Sequence, residues 1–235
     1  MFALASVGRV RDSVKDCFCC QGEAATRPLL LAASLCLLSA PARSETPLRA
    51  HLPVYGQIVS LPLPAPFDAA PESETDGDGN YLLESVPAGQ TLEDWSQMLT
   101  FSGAENLLAK AEGAEPGELA AWAAGQFEEG YRTACAGEVE AAPLSVPRIA
   151  GAKAAYAMYL GCGEVAGTRH GEAMVFLVII GAQDLYTLQW AERAPPTADK
   201  PAMDARWTAR MTQIASVALC PRVEGEAAPY ASCKP

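Results

Sequence analysis

The sequence predicts an α+β domain in which a mainly antiparallel sheet with a central hairpin is packed by helices. A run of seven apolar residues, Met174–Ile180, is joined to a second segment, Leu185–Trp190, by four residues that begin with Gly181. Side chains on a strand alternate between faces, so an uninterrupted apolar run predicts a strand that is covered on both faces. Two such segments around a short Gly-containing connection are typical of a β-hairpin. Helical segments before and after the hairpin predict the layers that cover it.

Residues 1–44 are predicted to be a signal peptide with a long n-region. Leu29–Ala40 is a 12-residue apolar run, which is too short to span a bilayer and has the length of a signal-peptide core. Ala42 and Ser44 are the small residues expected just before a cleavage site at Glu45. The sequence therefore predicts an exported protein, periplasmic or secreted, with no stable membrane span in its mature form.

Residues 45–79 are predicted to be a Pro-rich acidic linker. The six prolines between Pro47 and Pro71 favour extended backbone, and the acidic run Glu72–Asp78 adds repulsion. Leu52–Leu63 holds enough apolar residues to lie against the domain, so disorder need not cover the whole linker. The α+β domain is predicted over residues 80–221, with a C-terminal tail over residues 222–235.

Strands within the domain are predicted from alternating apolar residues over Tyr81–Val86, Trp95–Phe101 and Ala154–Cys162. The second of these has one wetter face, formed by Ser96, Met98 and Thr100. Glu105–Ala111 is predicted to form one or two helical turns.

Two longer helices are predicted from spacings of three and four. The first, Pro116–Ala134, begins with proline, which suits a first helical position, and its predicted inner face comprises Leu119, Trp122, Ala123, Phe127, Gly130, Tyr131 and Ala134. The second is predicted over Pro201–Leu219, and its predicted inner face comprises Met203, Trp207, Met211 or Arg210, Ile214, and Val217 or Ala218.

Five passages resemble a group of uncharacterised exported bacterial proteins: YLLESVP, TLEDWSQMLTF, FEEGYRTACAG, the Cys162 strand and VFLVIIGAQDLYTLQWAER. That group is similar in fold to the Ran-binding protein Mog1 and the photosystem protein PsbP. The resemblance covers Tyr81–Pro221 and implies a Mog1/PsbP-like α/β/α sandwich. Its motifs are structural, so it implies a fold and carries over no catalytic residues.

The cysteines predict disulfides if the protein is exported. Export leaves Cys135, Cys162, Cys220 and Cys233, an even number for which three pairings exist. Pairing neighbours in sequence gives Cys135–Cys162 and Cys220–Cys233. Without export, four reduced and buried thiols are the expectation.

The charge balance argues against nucleic-acid and anionic lipid partners. The whole chain has 17 basic and 28 acidic residues, and removing residues 1–44 leaves 12 and 25, a net charge of −13. No basic cluster interrupts this acidic surface, which repels polyanions.

No motif in the sequence identifies a catalytic residue or a cofactor. His51 in the linker and His170 in a turn are the two histidines, and the common hydrolase, nucleotide and zinc motifs do not occur. The turn Asp76–Asn80 begins like a calcium loop, but Tyr81 stands where glycine is needed and Pro87 where glutamate is needed, so no metal is predicted.

The sequence predicts an exported soluble binding or accessory protein of the cell envelope, acting on an unidentified protein or small molecule. Its predicted binding patch comprises Trp95, Gln97, Gln189, Trp190 and Arg193, provided that they line one wetter face of the sheet. Two alternatives are a hydrolase that uses carboxylates or His170 and a protein-docking or inhibitory module.

Overall fold

The computed structural model describes residues 48–67, 72–75, 79–111 and 113–234, which all belong to one compact unit, Pro47–Pro235. These residues form mostly antiparallel sheets and three helices, in agreement with the predicted α+β class. The predicted signal peptide and the calcium-like residues 76–78 lie outside the described ranges.

Within the described residues, five strands are followed by two helices, four strands, one helix and a last strand. The strands are β1 (Leu48–Val54), β2 (Gln57–Leu63), β3 (Glu72–Thr75), β4 (Tyr81–Ser85), β5 (Gln97–Ala104), β6 (Val139–Leu144), β7 (Ala154–Cys162), β8 (Gly171–Ile180), β9 (Leu185–Ala194) and β10 (Ala218–Pro221). The helices are α1 (Leu107–Lys110), α2 (Pro116–Ala134) and α3 (Ala205–Ile214).

A seven-stranded sheet forms the middle layer, in the order β3-β4-β5-β9-β8-β7-β6. Its neighbouring strands are all antiparallel. The predicted hairpin is confirmed, since β8 pairs with β9 from Gly171↔Ala194 to Ile180↔Leu185. Ala173–Ile180 is buried throughout, which explains why the apolar run on β8 is uninterrupted.

Each face of the seven-stranded sheet has its own core. Met174, Phe176 and Val178 of β8 pack in the core that contains α2. Val175 and Leu177, which point to the other face, pack with α3 and with a three-stranded sheet of order β1-β2-β10. The molecule is therefore layered, with helix on one face and both helix and sheet on the other.

The predicted linker is wrong for residues 48–63, because β1 and β2 form an antiparallel hairpin there. All of β2 is buried, and Val59, Leu61 and Leu63 alternate into the α3-side core. Pro62 lies beyond Ser60, the last β2 residue that pairs with β10, so at that point β2 has a strand on one side only. Prolines are tolerated at such positions because fewer ladder hydrogen bonds depend on the missing N–H.

The helix α2 has its predicted limits, but its predicted inner face is wrong at one residue. Trp122 is 51% exposed, and Ala120 and Ala124 are buried with Leu119 instead. The run from Leu119 to Ala124 is apolar all round the helix, so sequence spacing alone does not select the stripe that faces the sheet.

The helix α3 is shorter than predicted. The Asp204 carboxylate accepts a hydrogen bond from the backbone N–H of Arg206 (2.8 Å), which caps the helix at its N-terminus. Met203 consequently precedes the helix and is exposed. The predicted last turn instead forms β10, which joins β2 through Ala218↔Ser60.

Both predicted disulfides are present, Cys135–Cys162 and Cys220–Cys233. Such bonds are typical of proteins outside the reducing cytoplasm. The segment predicted as a tail belongs to the folded unit, since Cys233 is only 2% exposed and lies beside the carbonyl of Ile58. None of the helices in the described ranges has both the length and the apolar character needed to cross a bilayer.

Candidate binding surface

The five residues of the predicted binding patch lie on opposite faces of the seven-stranded sheet. Gln97 and Trp190 face α3, and the Trp190 indole N–H donates a hydrogen bond to Gln97 Oε1 (2.9 Å). Trp95 packs in the core on the α2 side, and Gln189 and Arg193 point to that side because they alternate with Trp190 on β9. The prediction of a single patch therefore fails, since residues next to each other on a strand face opposite ways.

On the α3 side, Arg210 connects the helix to the sheet. Its guanidinium lies 4.9 Å from the Trp190 ring centre and 4.7 Å from that of Trp207. It donates to Glu192 Oε2 (2.7 Å) and to Gln97 Oε1 (3.2 Å). Arg210 is 9% exposed, so this Arg210 cluster is a buried structural network with little surface for a ligand.

On the α2 side, Arg193 of β9 contacts both the loop before β5 and the strand β8. Its guanidinium carbon lies 3.7 Å from the Trp95 ring centre, and its Nη1 donates to the carbonyl of Glu93 (3.3 Å). Its Nε lies 3.6 Å from Glu172 Oε2, and His170 Nε2 lies 4.0 Å from the same oxygen. Arg193 therefore ties the loop before β5 to β8 through both an aromatic ring and a carboxylate.

The local environment shifts the titration of this group of side chains. Burial raises the pKa of Glu172, although the nearby Arg193 charge opposes that shift. Burial and the same guanidinium lower the pKa of His170. The positions of Glu172 and His170 are explained by their packing beside Arg193. Their geometry therefore gives no separate indication of a hydrolytic site.

A row of polar side chains on the α2 side of β5 and β9 is the feature that the fold does not explain. We call Thr100, Ser102, Thr187 and Gln189 the polar face. Thr100 is the direct partner of Gln189, and Ser102 is the direct partner of Thr187, so each pair points the same way. The Ser102 and Thr187 hydroxyl oxygens lie 2.6 Å apart and share a hydrogen bond.

The helix α2 does not cover the polar face. It packs on β7 and β8, where Phe176 and Val178 are buried. Those two residues are the β8 partners of Gln189 and Thr187 on β9. The side chains on this side of the sheet therefore change from apolar on β8, beneath α2, to polar on β9. Ser102, Thr187 and Gln189 are accordingly half-buried.

Thr100 makes the polar face energetically unfavourable for the isolated protein. It is 9% exposed, and its hydroxyl has no hydrogen-bond partner among the described residues. An unpartnered buried hydroxyl costs roughly 1–3 kcal/mol. Its neighbours Leu99 and Phe101, which point to the other face, are fully buried in the α3-side core.

Part of the polar face was visible in the sequence. The alternation on β5 predicted a wetter face that includes Thr100, and the alternation on β9 separates Thr187 and Gln189 from Tyr186 and Leu188. The sequence does not show that the wetter face of β5 lies beside the face of β9 that carries Thr187 and Gln189. That depends on strand register, which a single sequence does not specify when several strands alternate.

The polar face, with one buried and three half-buried side chains, lines neither of the two best-formed grooves of the described surface. One lies beside α3, lined by Pro143, Leu144, Ser145, Pro147, Thr208, Met211 and Thr212, and the other beside the C-terminal segment, lined by Ile58, Arg222, Val223, Glu224, Gly225, Glu226 and Tyr230. Among the residues with described positions, no group of three or more His, Cys, Asp or Glu is placed to hold a metal ion.

No protein-family model and no curated protein matches this chain.

Proposed function

We propose that the protein is an exported soluble accessory protein of the cell envelope, periplasmic or secreted, that binds a partner protein through the polar face. The single observation that carries this proposal is the placement of Thr100, Ser102, Thr187 and Gln189 on the central strand β9 and its neighbour β5, next to the strands on which α2 packs. Polar residues at positions that the fold alone would fill with apolar ones are expected at functional sites.

The shape of the surface favours a protein partner over a small molecule. Small-molecule sites are concave and enclose most of the ligand, whereas the polar face belongs to neither of the two best-formed grooves. Transient protein interfaces are about as polar as ordinary surface and contain several hydrogen bonds. Hydroxyl and amide groups supply both donors and acceptors for such bonds.

Export is supported by the two disulfides and by the apolar core of the predicted signal peptide. The proposal includes membership of the exported bacterial group with a Mog1/PsbP-like fold. The antiparallel sheet with α2 on one face and α3 on the other supports that membership.

Site-specific photo-cross-linking in the native cell tests this function. A photoreactive phenylalanine at the half-buried Thr187 is expected to form an adduct with one envelope protein, while the same residue at the exposed Glu164 forms none. The captured protein is then purified and titrated calorimetrically into the wild-type protein and into Thr187→Arg and Glu164→Gln variants. We expect binding to be at least about tenfold weaker for Thr187→Arg, since a buried misfit at an interface centre costs that much, and unchanged for Glu164→Gln.

Two outcomes would contradict the proposal. One is the absence of any adduct at Thr187 while the protein is present in the envelope. The other is equal affinity of the purified captured protein for the wild-type and Thr187→Arg proteins, provided that circular dichroism shows the variant to be folded.

A further inference from the structure

A second surface, separate from the polar face, lies on the outer side of α2 and centres on Trp122. The chain has four tryptophans, and Trp95, Trp190 and Trp207 are 8%, 4% and 1% exposed, whereas Trp122 is 51% exposed. An indole loses much apolar area when it is buried at an interface, and for this reason tryptophan is enriched among the residues that dominate binding. Trp122 has no corresponding role in the core.

The residues around Trp122 leave its ring accessible. Ala121 is exposed. Among the described residues, nothing beyond the local helix backbone and the two chain neighbours of Gly125, one helical turn further on, lies within 4 Å of the position that a Cβ would occupy there. Glu118 lies four residues before Trp122 and Glu129 seven residues after it, and both are exposed. Residues at these spacings lie on one side of a helix, so the indole is flanked by a carboxylate on each side along the helix.

We propose that this outer side of α2 docks a cationic segment of a partner protein, with an arginine or lysine of that segment stacked on the Trp122 indole. The face of an indole attracts cations, and Glu118 and Glu129 add attraction on both sides. A second copy of this chain is the wrong occupant, because it brings the same acidic helix and an acidic surface into contact with itself.

This surface is independent of the proposed function. The side of α2 that carries Trp122 points away from the sheet, on which Leu119, Ala120 and Ala123 are packed. Loss of binding at one surface therefore leaves the other unaffected, and Thr187→Arg serves as a control that should not alter binding at Trp122.

The test uses the full exported protein and two synthetic probes, a peptide of alternating arginine and serine and a matched peptide of alternating glutamate and serine. Trp122 is the exposed tryptophan, so its fluorescence should respond to a bound peptide. We expect the arginine peptide to change the tryptophan emission and to reduce its quenching by acrylamide. The glutamate peptide should have neither effect. By calorimetry, Trp122→Ala is expected to weaken binding of the arginine peptide about tenfold, and Trp122→Phe to restore part of it.

Non-specific attraction to the acidic protein is distinguished by two matched pairs of substitutions. Glu118→Gln with Glu129→Gln is expected to weaken binding several-fold, while Glu164→Gln with Glu224→Gln, an equally exposed pair elsewhere, is expected to leave it unchanged. Equal weakening by both pairs would overturn the inference, and so would an arginine peptide that binds Trp122→Ala as tightly as the wild type. A wild-type protein that does not bind the arginine peptide would overturn it as well.

Discussion

Removing the Cys135–Cys162 disulfide is expected to lower the free energy of unfolding by about 3–4 kcal/mol. The bond joins residues 27 apart in sequence, and a cross-link of that span restricts the unfolded chain strongly. It also connects the C-terminal end of α2 to the end of β7, where Cys162 is fully buried. Because net stabilities are about 5–15 kcal/mol, Cys135→Ala/Cys162→Ala should shift the urea midpoint far below that of the wild type.

The second disulfide provides a comparison. The sequence predicts that loss of Cys220–Cys233 matters less, because the tail holds few core residues. In the structure Cys233 is buried and the bond spans 13 residues, so Cys220→Ala/Cys233→Ala is expected to cost about 3 kcal/mol, close to the effect of the first pair. If Cys135→Ala/Cys162→Ala unfolds at the same urea concentration as the wild type, the bond between α2 and β7 does not stabilise the fold, which would contradict this prediction.

Replacing Arg210 by alanine is expected to lower the free energy of unfolding by about 2–3 kcal/mol. The substitution removes charge-assisted hydrogen bonds to Glu192 and Gln97 and the contacts with the rings of Trp190 and Trp207. Glu192 keeps a second cation nearby, since Arg206 Nη1 lies 3.0 Å from the same oxygen. The loss should therefore remain below that of an isolated buried charge.

Arg206 is the appropriate comparison for Arg210, because both guanidiniums contact Glu192 Oε2. The Arg206 side chain is 51% exposed and that of Arg210 is 11% exposed. An exposed ion pair contributes at most about 1 kcal/mol, so Arg206→Ala should change the urea midpoint little. Equal effects of the two substitutions would show that the pairing with Glu192, rather than burial between the two tryptophans, accounts for the stabilisation.

The parts of the fold that the sequence predicted well are those with strong local periodicity. The hairpin of β8 and β9 follows from an apolar run and an alternating segment, and α2 follows from a proline start and a long stripe. In both elements the pattern is set by neighbours along the chain. Pairing of neighbouring cysteines likewise sufficed for both disulfides.

The parts that the sequence predicted poorly depend on contacts between distant segments. β1 and β2 look like a linker because each contains one of its prolines, Pro53 and Pro62. Their pairing with each other, and the contacts of β2 with β10 and α3, make them strands. The predicted patch failed because Gln97 and Gln189 are both polar but point to opposite faces. The sequence predicts Trp122 in the core because spacing does not distinguish the inner from the outer side of an apolar helix segment.

We propose that the polar face serves binding although Thr100 lowers the stability of the isolated protein. Unfolding of Thr100→Val in urea is the decisive measurement, because valine keeps the shape of threonine and removes the hydroxyl that has no partner among the described residues. We expect the free energy of unfolding to rise by about 1 kcal/mol, whereas Thr187→Val, which removes the hydrogen bond to Ser102, should lower it. A decrease of about 1 kcal/mol or more for Thr100→Val would show that the hydroxyl supports the fold and that the polar face is not a cost to stability.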